Sequence, residues 1–199
     1  IKKIFTRAKK VVGDFPLWAK ISAYSLDKGN ITLEESVETA RFLEKIGCGL
    51  IEVSCGTFLD GMSTARCEKA PVQAYMHLNH RARNANPLAR FFISNVMPFM
   101  VPCPKPIENY NIESATKIKN SVNIPVSVVG GLREKRVIEE LVENNTCDLV
   151  SISRPLITEP NLVKRFRDEG QKRSRCISCN FCLIGSLEQP VKCYHGRIR

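Results

Sequence analysis

The sequence lacks any apolar run of the roughly 18 residues that a membrane-spanning helix needs, which excludes that class of membrane protein. Residues 1–5 also lack the long apolar region of a secretory signal peptide, so we expect no export and a cytoplasmic location. The sequence does not begin with methionine, and we expect it to have been cut from a longer chain.

Acidic residues and histidines are few. The 20 Asp and Glu residues stand against 30 Lys and Arg, a formal net charge of +10, and there are only 3 histidines. Apolar residues make up 43% of the chain, enough to bury a core. Nine cysteines without an export signal indicate a reducing compartment, where clustered thiols bind metal more often than they pair. A secreted disulfide scaffold is therefore excluded.

Four short, β-rich runs alternate with helical patterns. They lie at residues 17–22, 50–54, 124–129 and 148–153, and each is largely apolar, as expected for parallel strands covered on both faces. Helices are predicted at residues 1–12, from a capping box at Thr32 and Glu35 to Gly47, at 112–121, at 134–143 and from about 158 to 170. The alternation predicts an α/β fold with a parallel sheet.

Residues 57–109 form an insertion after the second strand, because the spacing to the third strand is too long for a bare crossover. The insertion is rich in proline and has a basic, aromatic middle that includes residues 80–83 and 91–92. It fits either a lid or substrate loop, or a helical excursion packed against the rim of a barrel, if the parallel sheet closes into one.

Glycines and an arginine follow two neighbouring strands. Gly130 and Gly131 come directly after the third strand, where backbone amides can approach an anion closely. Ser153 and Arg154 follow the fourth strand, and an arginine there adds a charge-assisted contact to the same phosphate. The alternative is a tight turn with a surface arginine.

Lys20 lies inside the otherwise apolar first strand. Burial of an ammonium group without a partner is unfavourable, so a lysine in a strand faces something anionic. The partner is either a ligand or a core carboxylate such as Glu52 on the next strand, and both are compatible at a barrel centre.

The C-terminal 40 residues are basic and rich in cysteine. Residues 160–199 hold nine Lys and Arg against three acidic residues. Four cysteines there follow the pattern C-x₂-C-x₂-C-x₁₀-C, namely Cys176, Cys179, Cys182 and Cys193. Such a trio with a distant fourth thiol is typical of a [4Fe–4S] cluster, whereas structural zinc more often takes two separate pairs. Zinc and unmetallated thiols remain the alternatives.

Several segments recur together, in one order, in a known family. They are residues 16–24, 51–56, 108–111, 124–131, 149–157 and the tail Cys-Ile-Ser-Cys-Asn-x-Cys. With them the chain resembles the C-terminal half of the NADH:flavin oxidoreductase (old yellow enzyme) family. The tail is most similar to the iron–sulfur members, such as 2,4-dienoyl-CoA reductase and trimethylamine dehydrogenase. The resemblance covers nearly the whole chain, and the insertion is its weakest part.

The resemblance implies the C-terminal half, strands 5–8, of an FMN-binding TIM (β/α)₈ barrel. Lys20 would then be catalytic and cofactor-binding, in the position of the family's strand-five basic residue beside the flavin. A cation there stabilises the charge that develops on hydride addition. Residues 1–170 would be the half-barrel and residues 171–199 the cluster-binding segment.

The resemblance also implies the remaining cofactor contacts. Gly130, Gly131, Ser153 and Arg154 would bind the FMN phosphate, although Ser153 stands where the family often has glycine. The four tail cysteines would hold a cluster that passes electrons to FMN. The implied reaction moves hydride from NAD(P)H through FMN to an activated alkene or a similar acceptor.

Family members carry further flavin contacts, the His–His or His–Asn pair that binds the substrate carbonyl and usually a tyrosine proton donor on four earlier βα units, which find no match in this sequence. The histidines here, His77, His80 and His195, lie in the insertion and the tail. We therefore expect the isolated chain to be inactive. Its partners would be the missing half-barrel or a second copy of the chain, together with a small-molecule substrate.

Two other functions are compatible with parts of the sequence. The basic tail around a zinc knuckle fits a nucleic-acid module, but it has few stacking aromatics and leaves the strands unexplained. A flavin-free barrel that binds a phosphate ligand leaves the cysteine tail unexplained.

Overall fold

The computed structural model describes residues 1–26, 31–57, 60 and 64–198, in which helices and strands alternate. The elements are α1 (Lys2–Val12), β1 (Trp18–Ser22), α2 (Leu33–Lys45), β2 (Leu50–Ser54), α3 (Val72–Leu78), α4 (His80–Arg83), α5 (Pro87–Asn95), α6 (Met97–Met100), α7 (Ile112–Lys119), β3 (Val126–Val129), α8 (Lys135–Glu143), β4 (Leu149–Ser151), α9 (Arg154–Thr158), α10 (Leu162–Asp168) and α11 (Phe181–Gly185). The four predicted strands are present within the predicted runs. Within the predicted insertion, residues 58–59 and 61–63 lie outside the described residues.

The four strands form one parallel sheet in sequence order, β1-β2-β3-β4. Lys20 lies opposite Glu52 in the register, and Glu52 lies opposite Ser127. Consecutive parallel strands connected by helices are the repeating units of a (β/α)₈ barrel. The arrangement confirms the predicted α/β fold.

One face of the sheet is apolar and buried. Ile51, Val53, Val126 and Val128 are at most 1% exposed and belong to a core that includes residues of α2, α7 and α8. Because successive strand residues point to opposite faces, the residues between them form the second face, which is rich in lysine, glutamate and serine. The helices therefore cover one face of the sheet, and the polar side chains lie on the other face.

Helix α2 begins as the sequence predicts. The Thr32 hydroxyl accepts a hydrogen bond from the Glu35 amide at 3.2 Å, and the Glu35 carboxylate accepts one from the Thr32 amide at 2.9 Å, which completes the capping box. The helix buries Val37, Ala40 and Leu43 in the core. It ends at Lys45, just before Gly47, whose positive φ of 89° suits glycine.

The chain divides into two compact units. The sheet unit comprises Ile1–Thr64, Asn109–Leu132 and Arg136–Ser151, and it contains all four strands. The cysteine unit comprises Ala65–Glu108, Arg133–Lys135 and Ile152–Arg199, and it contains the tail motif. In the described part of the chain, no helix has the length and apolar character to cross a membrane.

The cysteine unit is helical where it includes the insertion. Helices α3 to α6 lie there and share a small core around Val72, Met76 and Ala82. The helix predicted from about residue 158 to 170 corresponds to α10, which begins later, at Leu162. Thr158 is instead the last residue of α9. Glu159 between them is extended, with φ −138° and ψ 85°, as the following proline favours.

Candidate functional site

A row of linked polar side chains crosses the second face of the sheet. The Lys20 ammonium donates to Glu52 Oε1 at 2.6 Å. Ser151 Oγ donates to Glu52 Oε2 at 2.5 Å, and the hydroxyls of Ser127 and Ser151 are 2.9 Å apart. All four strands contribute one residue. The structure thus pairs Lys20 with Glu52, one of the two partners that the sequence left open.

The pair keeps a cation accessible on this face. The Lys20 side chain is 59% exposed, whereas that of Glu52 is 26% exposed. Burial opposes ionisation of Glu52, but the hydrogen bonds from Lys20 and Ser151, with the charge of Lys20, lower the pKa of its carboxyl below the usual value. Glu52 is therefore a carboxylate at neutral pH and holds the ammonium in the middle of the sheet.

We expect the Lys20–Glu52 pair to contribute about 1 kcal/mol of stability near neutral pH, since one partner is well exposed. Because the folded-state pKa of Glu52 is lowered, the contribution is complete above the unfolded pKa, about 4.3, and is lost as pH falls through the lower folded value. The free energies of unfolding of the wild type and of Glu52→Gln, measured in urea, should differ at pH 7 and converge below pH 4.

The control is Glu34→Gln, which removes an exposed ion pair with Lys117 and should have a smaller effect on stability that salt abolishes. A pH-independent difference would contradict this role of the carboxylate.

The turn after β3 is shaped by a buried asparagine. The Asn111 side chain is 1% exposed, donates to the Val129 carbonyl at 2.5 Å and accepts from the Tyr24 hydroxyl at 3.1 Å. A Cβ at Gly130 would lie 2.8 Å from Asn111 Nδ2, so glycine is required there. Gly131 follows with a positive φ of 70°. The tight turn that the sequence allows as the alternative to a phosphate site is present, and Asn111, for which no sequence pattern predicts a role, holds it.

Ser153 and Arg154 lie at the start of α9, in the cysteine unit. Ser153 is exposed. The Arg154 guanidinium donates from Nη1 to the Arg66 carbonyl at 2.9 Å and to Asn180 Oδ1 at 2.5 Å. Asn180 stands between Cys179 and Cys182 in the tail motif. Arg154 therefore braces the cysteine loop, a role that its place after a strand did not predict.

The four tail cysteines line one small cavity of the cysteine unit. Cys176, Cys179, Cys182 and Cys193 share it with Arg154, Asn180, Tyr194 and His195. Within the described part of the chain, no cysteine forms a disulfide. Among the described residues, no three His, Cys, Asp or Glu side chains are close enough together to form a metal site as they stand.

The pKa values of two of the four thiols are raised by their surroundings. Burial, followed by the charges of neighbouring thiolates, raises the pKa of Cys179. Burial and the neighbouring cysteines likewise raise the pKa of Cys182, against the effect of Arg154. A bound cation would favour the thiolate form of the cysteines that hold it. Four thiols around one cavity fit a metal centre in donor type and number.

The segment before Cys176 is anchored by two buried charged residues that sequence patterns did not reveal. Arg133 is 6% exposed and donates to the Cys176 carbonyl at 2.5 Å and to the Glu108 carboxylate. Glu159 is 3% exposed and accepts from Ser174 Oγ at 2.9 Å and from the Arg175 amide at 2.6 Å. These contacts hold the chain where the cysteine motif begins.

Comparison with known proteins gives one family. The family described as NADH:flavin oxidoreductase / NADH oxidase matches residues 64–173, more than half of the chain. The NADH oxidase of Thermoanaerobacter brockii is 28% identical over 193 residues, which are 96% of this chain and 24% of that protein. The bilirubin reductase of Mediterraneibacter gnavus is 27% identical over 154 residues, which are 77% of this chain and 19% of that protein. The chain thus spans a quarter or less of the length of these relatives.

A solved structure shows the same fold. A 2-naphthoyl-CoA reductase in complex with 2-naphthoyl-CoA superimposes with a TM-score of 0.66 at 20% identity. The match covers 96% of this chain and 24% of that chain. Likeness at this identity establishes the fold, a partial (β/α)₈ barrel, and confirms the fold expected from the sequence.

Proposed function

Because the chain belongs to the NADH:flavin oxidoreductase / NADH oxidase family, we propose that it forms the strand 5–8 part of an FMN-dependent NAD(P)H oxidoreductase with a [4Fe–4S] cluster. The observation that carries the proposal is that Cys176, Cys179, Cys182 and Cys193 line one cavity, in a chain of a flavin-using family. An isolated phosphate-binding barrel has no use for these four thiols.

Lys20 is the residue we assign to the flavin. FMN, when bound, would accept hydride from NAD(P)H and deliver it to the acceptor. The exposed ammonium of Lys20 is held by Glu52, whose other carboxylate oxygen accepts from Ser151, and its positive charge would stabilise a reduced flavin ring. The exposed cation fits FMN; the phosphate-binding roles of Gly130, Gly131, Ser153 and Arg154 stay predictions from the resemblance.

The cysteine cavity is the place we assign to the cluster. The C-x₂-C-x₂-C-x₁₀-C spacing favours a [4Fe–4S] cluster over zinc, since the first three thiols come from one short loop. Arg154 lines the same cavity and contributes positive charge beside an anionic centre.

The acceptor we propose is a small conjugated molecule, such as an activated alkene. One relative is named a bilirubin reductase, and the solved neighbour is a reductase bound to an aromatic CoA thioester. Nine cysteines in a sequence without a recognisable export signal favour a reducing compartment such as the cytoplasm.

We propose that the chain works with further barrel strands. In the described sheet, β1 and β4 each have one hydrogen-bonded neighbour, and a closed barrel gives every strand two. The partner is the remaining half-barrel or a second copy of this chain, and we expect the isolated chain to be inactive.

The flavin assignment is tested by titrating FMN into the chain and following its fluorescence. We expect firm binding only when the missing N-terminal half-barrel is supplied as a separate chain. In that mixture, Lys20→Met should slow reduction of the flavin by NADH about 100-fold, because it removes the cation. Lys117→Met, which removes an exposed lysine paired with Glu34, is the matched control. Absence of flavin uptake in the mixture would leave the flavin-free barrel as the better proposal.

A further inference from the structure

Two cysteines outside the tail motif lie against each other in the cysteine unit. The Sγ atoms of Cys67 and Cys103 are 3.8 Å apart, although the residues are 36 positions apart in sequence. Cys67 is 4% exposed and Cys103 is partly exposed. Both are free thiols. Neither belongs to the four residues assigned to the cluster.

The surroundings of Cys67 keep its proton in place. Burial, followed by the charge and hydrogen bond of Cys103, raises the pKa of Cys67 to about 11, while Arg154 and Asn180 act in the opposite direction. Cys67 is therefore a neutral thiol at physiological pH that must lose its proton when it attacks, and its sulfur lies beside the more accessible sulfur of Cys103. Such an arrangement of one accessible and one sheltered thiol suits an attacking and a resolving cysteine.

We propose that Cys67 and Cys103 form a redox-active dithiol that hydroperoxides oxidise to a disulfide. In the first step, the sulfur of Cys103 takes one oxygen of the peroxide and becomes a sulfenic acid, and one water leaves. In the second step, the sulfur of Cys67 displaces that oxygen, which leaves as a second water. Two thiols and one hydrogen peroxide thus give one disulfide and two waters, and a dithiol reductant reverses the reaction.

The disulfide would close the ends of one distinctive segment. Helices α3 to α6 lie between the two cysteines, and residues 69–107 contain no Asp or Glu. The same segment carries exposed apolar side chains, among them Leu88, Phe91 and Phe99. Oxidation would restrict this basic, apolar segment by joining its two ends.

Cys147 provides a matched control. It is 1% exposed, and its pKa is also raised to about 11, by burial and by the charge of Asp148 rather than by a second thiol. If burial or a raised pKa alone decided reactivity, Cys67 and Cys147 would react alike. If the two neighbouring thiols act together, only Cys67 forms a specific cross-link, and its partner is Cys103.

The test uses the full chain, treated with one equivalent of hydrogen peroxide, alkylated and digested with trypsin. We expect peptide 67–69 linked to peptide 91–117, two hydrogens lighter than the free pair, because trypsin does not cut between Lys105 and Pro106. The link should disappear after dithiothreitol and in Cys67→Ser and Cys103→Ser, and should persist in Cys147→Ser.

The wild-type digest decides the matter even if a serine variant folds poorly. Recovery of peptide 67–69 as an alkylated thiol, as a sulfinic acid, or linked to a tail cysteine would overturn the proposal. Because no flavin or cluster takes part, the result is independent of the proposed oxidoreductase function.

Discussion

Cys182→Ser should abolish cluster assembly. After anaerobic treatment with iron and sulfide, we expect about four iron atoms per wild-type chain and a brown colour that dithionite bleaches. The variant should retain less than about one tenth of that iron, because a serine hydroxyl does not ionise near neutral pH and three thiols cannot complete the shell. Iron analysis and the visible spectrum measure the loss directly.

The control for this prediction is Cys147→Ser. Cys147 is buried in the core of the sheet unit, and its substitution removes a thiol without touching the cavity. It should bind iron as the wild type does. If the wild type and Cys147→Ser both contained stoichiometric zinc and took up no iron under strict anaerobic handling, the zinc alternative would be supported instead.

Much of the fold follows from local patterns in the sequence. The strands are short runs of apolar residues between helical patterns, and the structure places all four within the predicted ranges. The capping box at Thr32 and Glu35 is also a local signal, since its two hydrogen bonds join residues three positions apart. Such contacts are predictable because the residues that make them are close in sequence.

The site was predictable only where one strand faces the next. Lys20 needed an anion, and Glu52 on the neighbouring strand is the anion found. Ser151, which is 99 positions away in sequence, donates a hydrogen bond to the same carboxylate, and no local sequence pattern around a serine predicts such a contact. Asn111 and the Cys67–Cys103 pair were missed for the same reason, because packing across the fold brings their partners together.

The break between α9 and α10 shows a tertiary contact deciding a local structure. The residues from 158 to 170 have helical character, and a single helix was the natural expectation. Instead Glu159 leaves the helix, and its side chain turns into the protein to bind the backbone and side chains of residues 171–175. Pro160 supports the extended conformation of Glu159, but the buried carboxylate explains why the break lies at this residue.

Glu159→Gln should therefore destabilise the chain more than its conservative chemistry suggests. The carboxylate accepts hydrogen bonds from Gln171 Nε2 at 2.8 Å, from Ser174 and from the Arg175 amide. In the variant, the NH₂ group of the glutamine side chain would face at least one of these donors and could not accept its hydrogen bond. We expect a loss of about 2 kcal/mol in the free energy of unfolding, measured by urea denaturation. Burial raises the pKa of Glu159, but these hydrogen bonds outweigh it, and the folded-state pKa lies below the usual value.

Glu169→Gln is the matched control, since Glu169 also pairs with Arg165 but is 57% exposed. It should change stability by less than about 0.5 kcal/mol. Because the folded-state pKa of Glu159 is lowered, its contribution is present above pH 4.3 or so and disappears as pH falls through the folded value. The gap between wild type and Glu159→Gln should thus narrow below pH 4. Equal losses in the two variants would show that the ion pair with Arg165, and not the anchoring of residues 171–175, is what Glu159 contributes.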